Sequence, residues 1–240
     1  MKLLIITLFF ALFFPILSFA FKVEPMVAEM RYSGSRATQT FKISNQSAQS
    51  VAIEVEATTR EVSLEGEETR RPTKDFMIYP FQFKLLPGKE RVVRVSWTGK
   101  DMAQNEAAYR LVFRQLPVEF DAKKMQDKKN QIQFLLEYVA SLYIAPDDLK
   151  LFAKPLAETV SYDSAKKSFD ILLDNPGNQH ALLNDYEVYF SHQGGKIKLT
   201  DKEFPDLSST NILAKSKRKI IWKSTSNYTG PYKIEILPKN

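Results

Sequence analysis

The stretch "NQIQFLLEYVASLYIAP", Asn130 to Pro146, decides how the rest of the chain is read. On one parity it carries Ile132, Phe134, Leu136, Tyr138, Ala140, Leu142 and Ile144. On the other it carries Gln131, Gln133, Leu135, Glu137, Val139, Ser141 and Tyr143. Successive side chains of a β-strand point to opposite faces, so this alternation predicts one strand. It is far longer than the usual length of about five or six residues. Its first half is apolar on one face and mostly polar on the other, and its second half is apolar on both. The preceding "FDAKKMQDKKN" is charged and without apolar period, so a charged loop leads directly into a long apolar strand.

Working outward, nearly everything after Phe21 alternates. "TFKISN" places Phe41 and Ile43 on one face, and "SVAIEVEA" sets Val51, Ile53 and Val55 against Glu54 and Glu56. "RVVRVSW" aligns Val93, Val95 and Trp97, and "YRLVFRQL" aligns Tyr109, Leu111 and Phe113. "LLPGKE" is a turn centred on Pro87-Gly88. After Pro146 the pattern restarts with "SFDILLDN", "DYEVYF", "KIKL", "KRKIIW" and "YKIEIL", with turns at "NPGN" and "HQGGK". Short period-two strands punctuated by turn residues predict an all-β fold of sandwiches. Helix is sparse, with room for one turn in "SWTGKDMAQNEAAYR". The chain divides into residues 21–146 and 147–240.

The first twenty residues, "MKLLIITLFFALFFPILSFA", have a basic start, an apolar run and small residues Ser18 and Ala20 at the end. They form an expected signal peptide cleaved after Ala20. No other segment approaches the roughly 18 apolar residues of a membrane span, so no stable membrane insertion is expected. The 240 residues are 44% hydrophobic and 26% charged, which excludes wholesale disorder. There is no cysteine, so an exported fold of this size must rest on its apolar core, and thiol catalysis and cysteine-based metal sites are excluded. The net charge of +6 suits an anionic or carboxylate-bearing partner, and export argues against nucleic acid.

Chemistry-bearing constellations are missing from the pattern. The two histidines, His180 and His192, both read as loop residues. No nucleophile elbow, zinc-type histidine pair or calcium loop occurs, so no catalytic residue, metal or cofactor is expected and the protein is not read as an enzyme. The basic run "KSKRK", Lys215 to Lys219, reads as a solvated turn leading into a strand at Ile220–Trp222.

In order and spacing, "FKVEPMVAEMRYSGSRATQTFKISNQS", "YPFQFKLLPGKERVVRV", "FRQLP", the charged loop, the strand ending "LYIAP", "LLDNPGNQHALL" and "ILAKSKRKIIW" resemble the periplasmic chaperones of the chaperone–usher pilus pathway. The resemblance covers essentially the whole chain after residue 20. It implies two immunoglobulin-like β-sandwich domains set at an angle around a cleft, in the periplasm. It also implies two partners, pilus or fimbrial subunits and an outer-membrane usher. Such subunits lack their last strand. The chaperone lends one, with main-chain hydrogen bonds along the subunit's open edges and alternate side chains in its groove. The donor side chains implied here are Ile132, Phe134 and Leu136, each worth roughly 1.5–3 kcal/mol on burial. The loop Glu119 to Asn130 would order on binding. Self-capping dimers would blunt the strand when no subunit is present. The competing reading is an exported two-domain β-sandwich adhesin or structural subunit.

The resemblance departs from its pattern at one place. Familiar members grip the subunit's terminal carboxylate with an arginine on the first strand and a lysine near the end of the long strand. Those positions fall here on Glu29 and Ser141, which points to a divergent, archaic-like branch. A carboxylate still needs a charge-assisted donor. Arg110 is the first candidate, with Arg114 on the same face and Arg31 on the first strand. Tyr79-Pro80 aligns with a position that is cis in the family.

Overall fold

A computed structural model describes residues 21–100, 104–117, 135–224 and 228–239. The expected signal peptide, the loop Glu119 to Asn130, Ile132 and Phe134 lie outside the described residues. The first half holds β1 (Phe21–Glu24), β2 (Val27–Arg31), β3 (Thr38–Asn45), β4 (Val51–Thr59), the short β5 (Glu61–Val62) and β6 (Glu68–Thr69), β7 (Phe76–Tyr79), β8 (Gln82–Leu85), β9 (Glu90–Trp97), β10 (Ala107–Leu116) and β11 (Glu137–Ala145). One sheet has the order β1-β3-β9-β7 and the other β2-β11-β10-β4-β8. The first domain's core fills the space between them. Phe41, Ile43, Ile53, Val93, Val95, Leu111, Phe113, Leu142 and Ile144 are all completely buried there, each on the parity the alternation assigned.

The second half holds β12 (Leu156–Asp163), β13 (Ser168–Asn175), β14 (Ala181–Leu182), β15 (Tyr186–His192), β16 (Gly195–Leu199), β17 (Asn211–Ile212), β18 (Ser216–Lys223) and β19 (Lys233–Pro238). Its sheets run β12-β13-β18 and β16-β15-β19, with a small β14-β17 pair. Trp222 lies at its centre, stacked on Phe169 with ring centroids 5.0 Å apart and edge-on to Phe190. The fold is two β-sandwich domains, and no described helix is long and apolar enough to cross a membrane.

Several details correct the sequence reading. The strand predicted from Ile132 begins, among described residues, only at Glu137 and ends at Ala145. No helical turn forms in the described part of Ser96–Arg110. Of the basic run Lys215–Lys219 only Lys215 is in the turn; β18 begins at Ser216, earlier than expected, and pairs with β13 throughout. His192 ends β15 rather than lying in a loop, whereas His180 is a loop residue as expected and stacks on Tyr143 between the domains. Among the described residues three peptide bonds are cis, Glu24-Pro25, Tyr79-Pro80 and Gly230-Pro231.

Two features of this fold position the site. At Pro25 the chain leaves one sheet for the other: β1 pairs with β3, whereas β2 pairs in parallel with β11 from Ser141 to Ala145. The small β5–β6 hairpin folds off the end of β4 and reaches the second domain, where Lys219 N–H donates to the Leu64 carbonyl at 2.7 Å.

Candidate functional site

The antiparallel register of β10 and β11 sets Arg110 directly opposite Ser141. Leu111 and Phe113 point into the core, so Arg110 projects from the other face, toward the cleft. Its Nη1 donates to Ser141 Oγ at 2.5 Å. The position that lacks the expected lysine therefore has a guanidinium against it, supplied from the neighbouring strand.

Glu68, from the β5–β6 hairpin, faces Arg110 in a forked contact: Nε donates at 3.0 Å to Oε1, and Nη2 donates at 2.6 Å to Oε2. Arg60, just past the end of β4, approaches the same carboxylate with Nε at 2.9 Å from Oε2. Its Nη1 donates to the Tyr143 hydroxyl at 3.0 Å. The side chains of Arg60, Arg110 and Glu68 are 8%, 17% and 21% exposed, so they are largely withdrawn from water. Burial by itself would raise the Glu68 carboxyl. The hydrogen bonds from Arg110 and the charges of Arg110 and Arg60 outweigh it, and the carboxyl is held below its ordinary range. Arg110 and Arg60 share one carboxylate, which leaves an excess of positive charge, and Arg70, 3.5 Å from that same carboxylate, also faces Glu137 at 3.8 Å.

The other two candidates are placed differently. Arg114 is more exposed and lies among Glu54, Glu56 and Glu137, which already over-match its charge. Arg31 Nη1 donates to the carbonyls of Pro146, at 2.6 Å, and Leu149, so it holds the segment joining the domains. Arg60 and Glu68 escaped the sequence reading, and Tyr143 and His180 were read there without a part in the site. They meet only through tertiary structure, and no local spacing announces them.

The cleft floor is closed by aromatic and polar contacts between the domains. The Tyr143 hydroxyl accepts from Asn211 Nδ2 at 2.8 Å, and buried Glu106 accepts from the His180 backbone N–H at 3.0 Å and lies 2.7 Å from its Nδ1.

Beside this pocket runs a strand edge that is free among the described residues. β2 covers the outer side of β11 only from Ser141 onward, with Ser141 N–H donating to the Met26 carbonyl at 2.9 Å. Among the described residues Glu137–Ala140 has β10 on one side and no strand on the other. Of the three expected donor side chains only Leu136 is described. It is partly buried against the rim of the first domain's core rather than free in solvent, whereas Leu135 is 47% exposed. Leu136 stays tied to β10 by a bond from Gln115 N–H to its carbonyl at 2.8 Å.

Similar folds occur in solved structures. The chaperone–tip subunit pre-assembly complex CsuC–CsuE, from the archaic chaperone–usher Csu pili of Acinetobacter baumannii, aligns at 12% identity over 84% of this chain and 89% of that one, with a TM-score of 0.54. The complex of SafB chaperone and SafA pilin of Salmonella enterica aligns at 12% identity, over 91% and 90%, with a TM-score of 0.54. The YadV chaperone aligns at 10% identity, over 90% and 91%, with a TM-score of 0.57. At these identities the likeness is one of fold. Among curated protein sequences there is no match. The family model for pili and flagellar-assembly chaperones, PapD N-terminal domain, matches residues 23–150, the span that builds the first sandwich, the free edge of β11 and the arginine pocket. The chain therefore belongs to the family of PapD-like pili and flagellar-assembly chaperones.

Proposed function

We propose that this chaperone acts in the periplasm by donor-strand complementation, lending the β11 edge to a pilus subunit and delivering it to an outer-membrane usher. The single observation that carries this reading is the side of β11 at Glu137–Ala140 that no strand among the described residues covers, where main-chain groups are available to a further strand. By alternation Ile132 and Phe134 belong to the row of Leu136, Tyr138, Ala140, Leu142 and Ile144. The inner members of that row fill the chaperone's own core, and Leu136 stands at its rim. Continued outward, the same row would complete the core of a second sandwich. In this reading Leu136 is the junction, and Ile132 and Phe134 are the side chains that enter the subunit.

Arg110 is the proposed grip for the subunit's terminal carboxylate, because it combines withdrawal from water, a forked geometry and a net positive pocket. Arg114 and Arg31 have other commitments. Pro146 is the proposed boundary between the domains, and the exposed edge gives the free chaperone a surface for self-capping dimers.

The test is co-expression with candidate small β-rich subunits. The chaperone should be recovered with one subunit in equal amounts and protect it from proteolysis. Ile132→Asp with Phe134→Asp, and separately Arg110→Ala, should lose the subunit while the chaperone stays folded. Full capture by the double aspartate variant would sink the donor-strand reading, and full capture by Arg110→Ala would sink the grip.

A further inference from the structure

Glu68 comes to Arg110 from outside the sheet that carries the arginine. It belongs to β6, one arm of a hairpin whose two strands are only two residues long. The hairpin's tip is held by the second domain. Leu64 accepts from the Lys219 N–H, and Gly66 lies directly beneath the Arg218 guanidinium, where an added Cβ would sit 1.2 Å from Nη1. The Glu68 carboxylate makes on Arg110 the forked contact that the carboxylate ending a polypeptide would make there. Ser141 Oγ completes the same guanidinium's set of partners.

We propose that Glu68 is a built-in placeholder, a carboxylate that occupies the anchor of the empty chaperone and is displaced by the terminal carboxylate of a bound subunit. This rests on the reading of Arg110 as the grip. Guanidiniums withdrawn from water without a counter-charge would strain the fold, because a buried charge left unpaired is strongly destabilising. A resident carboxylate removes that burden in the empty cleft, and capture becomes the exchange of one carboxylate for another. A neutral chain end cannot make the exchange. The device thus selects for a true C-terminus over an internal apolar strand.

The probe is acetate, the smallest monocarboxylate, titrated into the full chain while the Arg110 Nε–H resonance is followed by NMR. Glu68→Gln keeps the side chain's shape and removes its charge, and it should bind acetate about tenfold more tightly than the unaltered protein. In the unaltered protein, which needs no variant to fold, saturating acetate should move the Glu68 side-chain carboxyl ¹³C resonance to the position of a solvated glutamate. Equal or weaker acetate binding by Glu68→Gln, or an unmoved Glu68 resonance, overturns the placeholder. Arg110→Ala keeps the two ideas apart. If it still captures subunits on co-expression, the grip is wrong; if it loses them while Glu68 of the unaltered protein stays in place under acetate, only the placeholder is wrong.

Discussion

Tyr143 and His180 stack face to face between the two domains, with ring centroids 3.7 Å apart and planes 6° from parallel. The Tyr143 hydroxyl also accepts from Arg60 of the first domain and Asn211 of the second. One side chain thus joins the arginine pocket to the domain contact. Tyr143→Phe keeps the stack but leaves two donors without their acceptor. It should cost about 1–3 kcal/mol, read as a lower midpoint of urea unfolding with an unchanged slope. Tyr143→Ala should go further and separate unfolding into two transitions, one for each domain.

Each sandwich pins a turn with a buried asparagine. Asn45 Nδ2 donates to the carbonyls of Gln49 and Leu85, while its Oδ1 accepts from Ser47. Asn175 Nδ2 donates to the carbonyls of Gln179 and Ile212, while its Oδ1 accepts from Gly177 and Lys154. Asn45→Ala and Asn175→Ala each orphan several buried backbone groups and should each cost about 2–4 kcal/mol. The Asn45 variant should lower the transition of the first domain and the Asn175 variant that of the second. Fluorescence of Trp97 and Trp222 reports on each.

The parts legible in the sequence were those whose cause is local. Alternation alone selects Phe41, Ile43, Ile53, Val93, Leu111 and Phe113 as core, because a sheet buried on one face must put every second residue inward. Strand β12 was missed because it lies at a sheet edge, carries little buried surface and breaks register with a bulge between Ala157 and Thr159. The β5–β6 hairpin was missed because "EVSLEGEET" has no apolar period at all. The arginine pocket was half visible. Ser141 and Arg110 were each singled out, but only the pairing of β10 with β11 puts one against the other, and Arg60 and Glu68 come to them through folding alone.

Acid should weaken the pocket. The Glu68 carboxyl is held below its ordinary value of 4.5, so the folded state favours the charged form. Its contribution to stability is complete above that value and is lost as pH falls below it, through the lowered value. Unfolding free energy should therefore decline as the medium is acidified below about pH 4.5, and Glu68→Gln should flatten the decline. An equally steep profile for the variant would assign the acid sensitivity elsewhere.

Gly66 adopts a φ of 93°, a backbone conformation unfavourable for residues with a Cβ, and the Arg218 guanidinium occupies the space a Cβ would take. Gly66→Ala should cost about 1–3 kcal/mol and lift the hairpin tip from the second domain. Faster hydrogen exchange at the Lys219 amide, which donates to Leu64, would report that release.

The crossing of the chain at Pro25 has a geometric consequence. Wherever β2 begins, the covered part of β11 begins with it, and here Val27 sets that point at Ser141. The N-terminal segment works as a ruler for the vacant edge. Sliding the crossing by two residues would add or remove one side chain on the outward row, so in the donor-strand reading the span a client must match is set by residues at the opposite end of the domain's sequence.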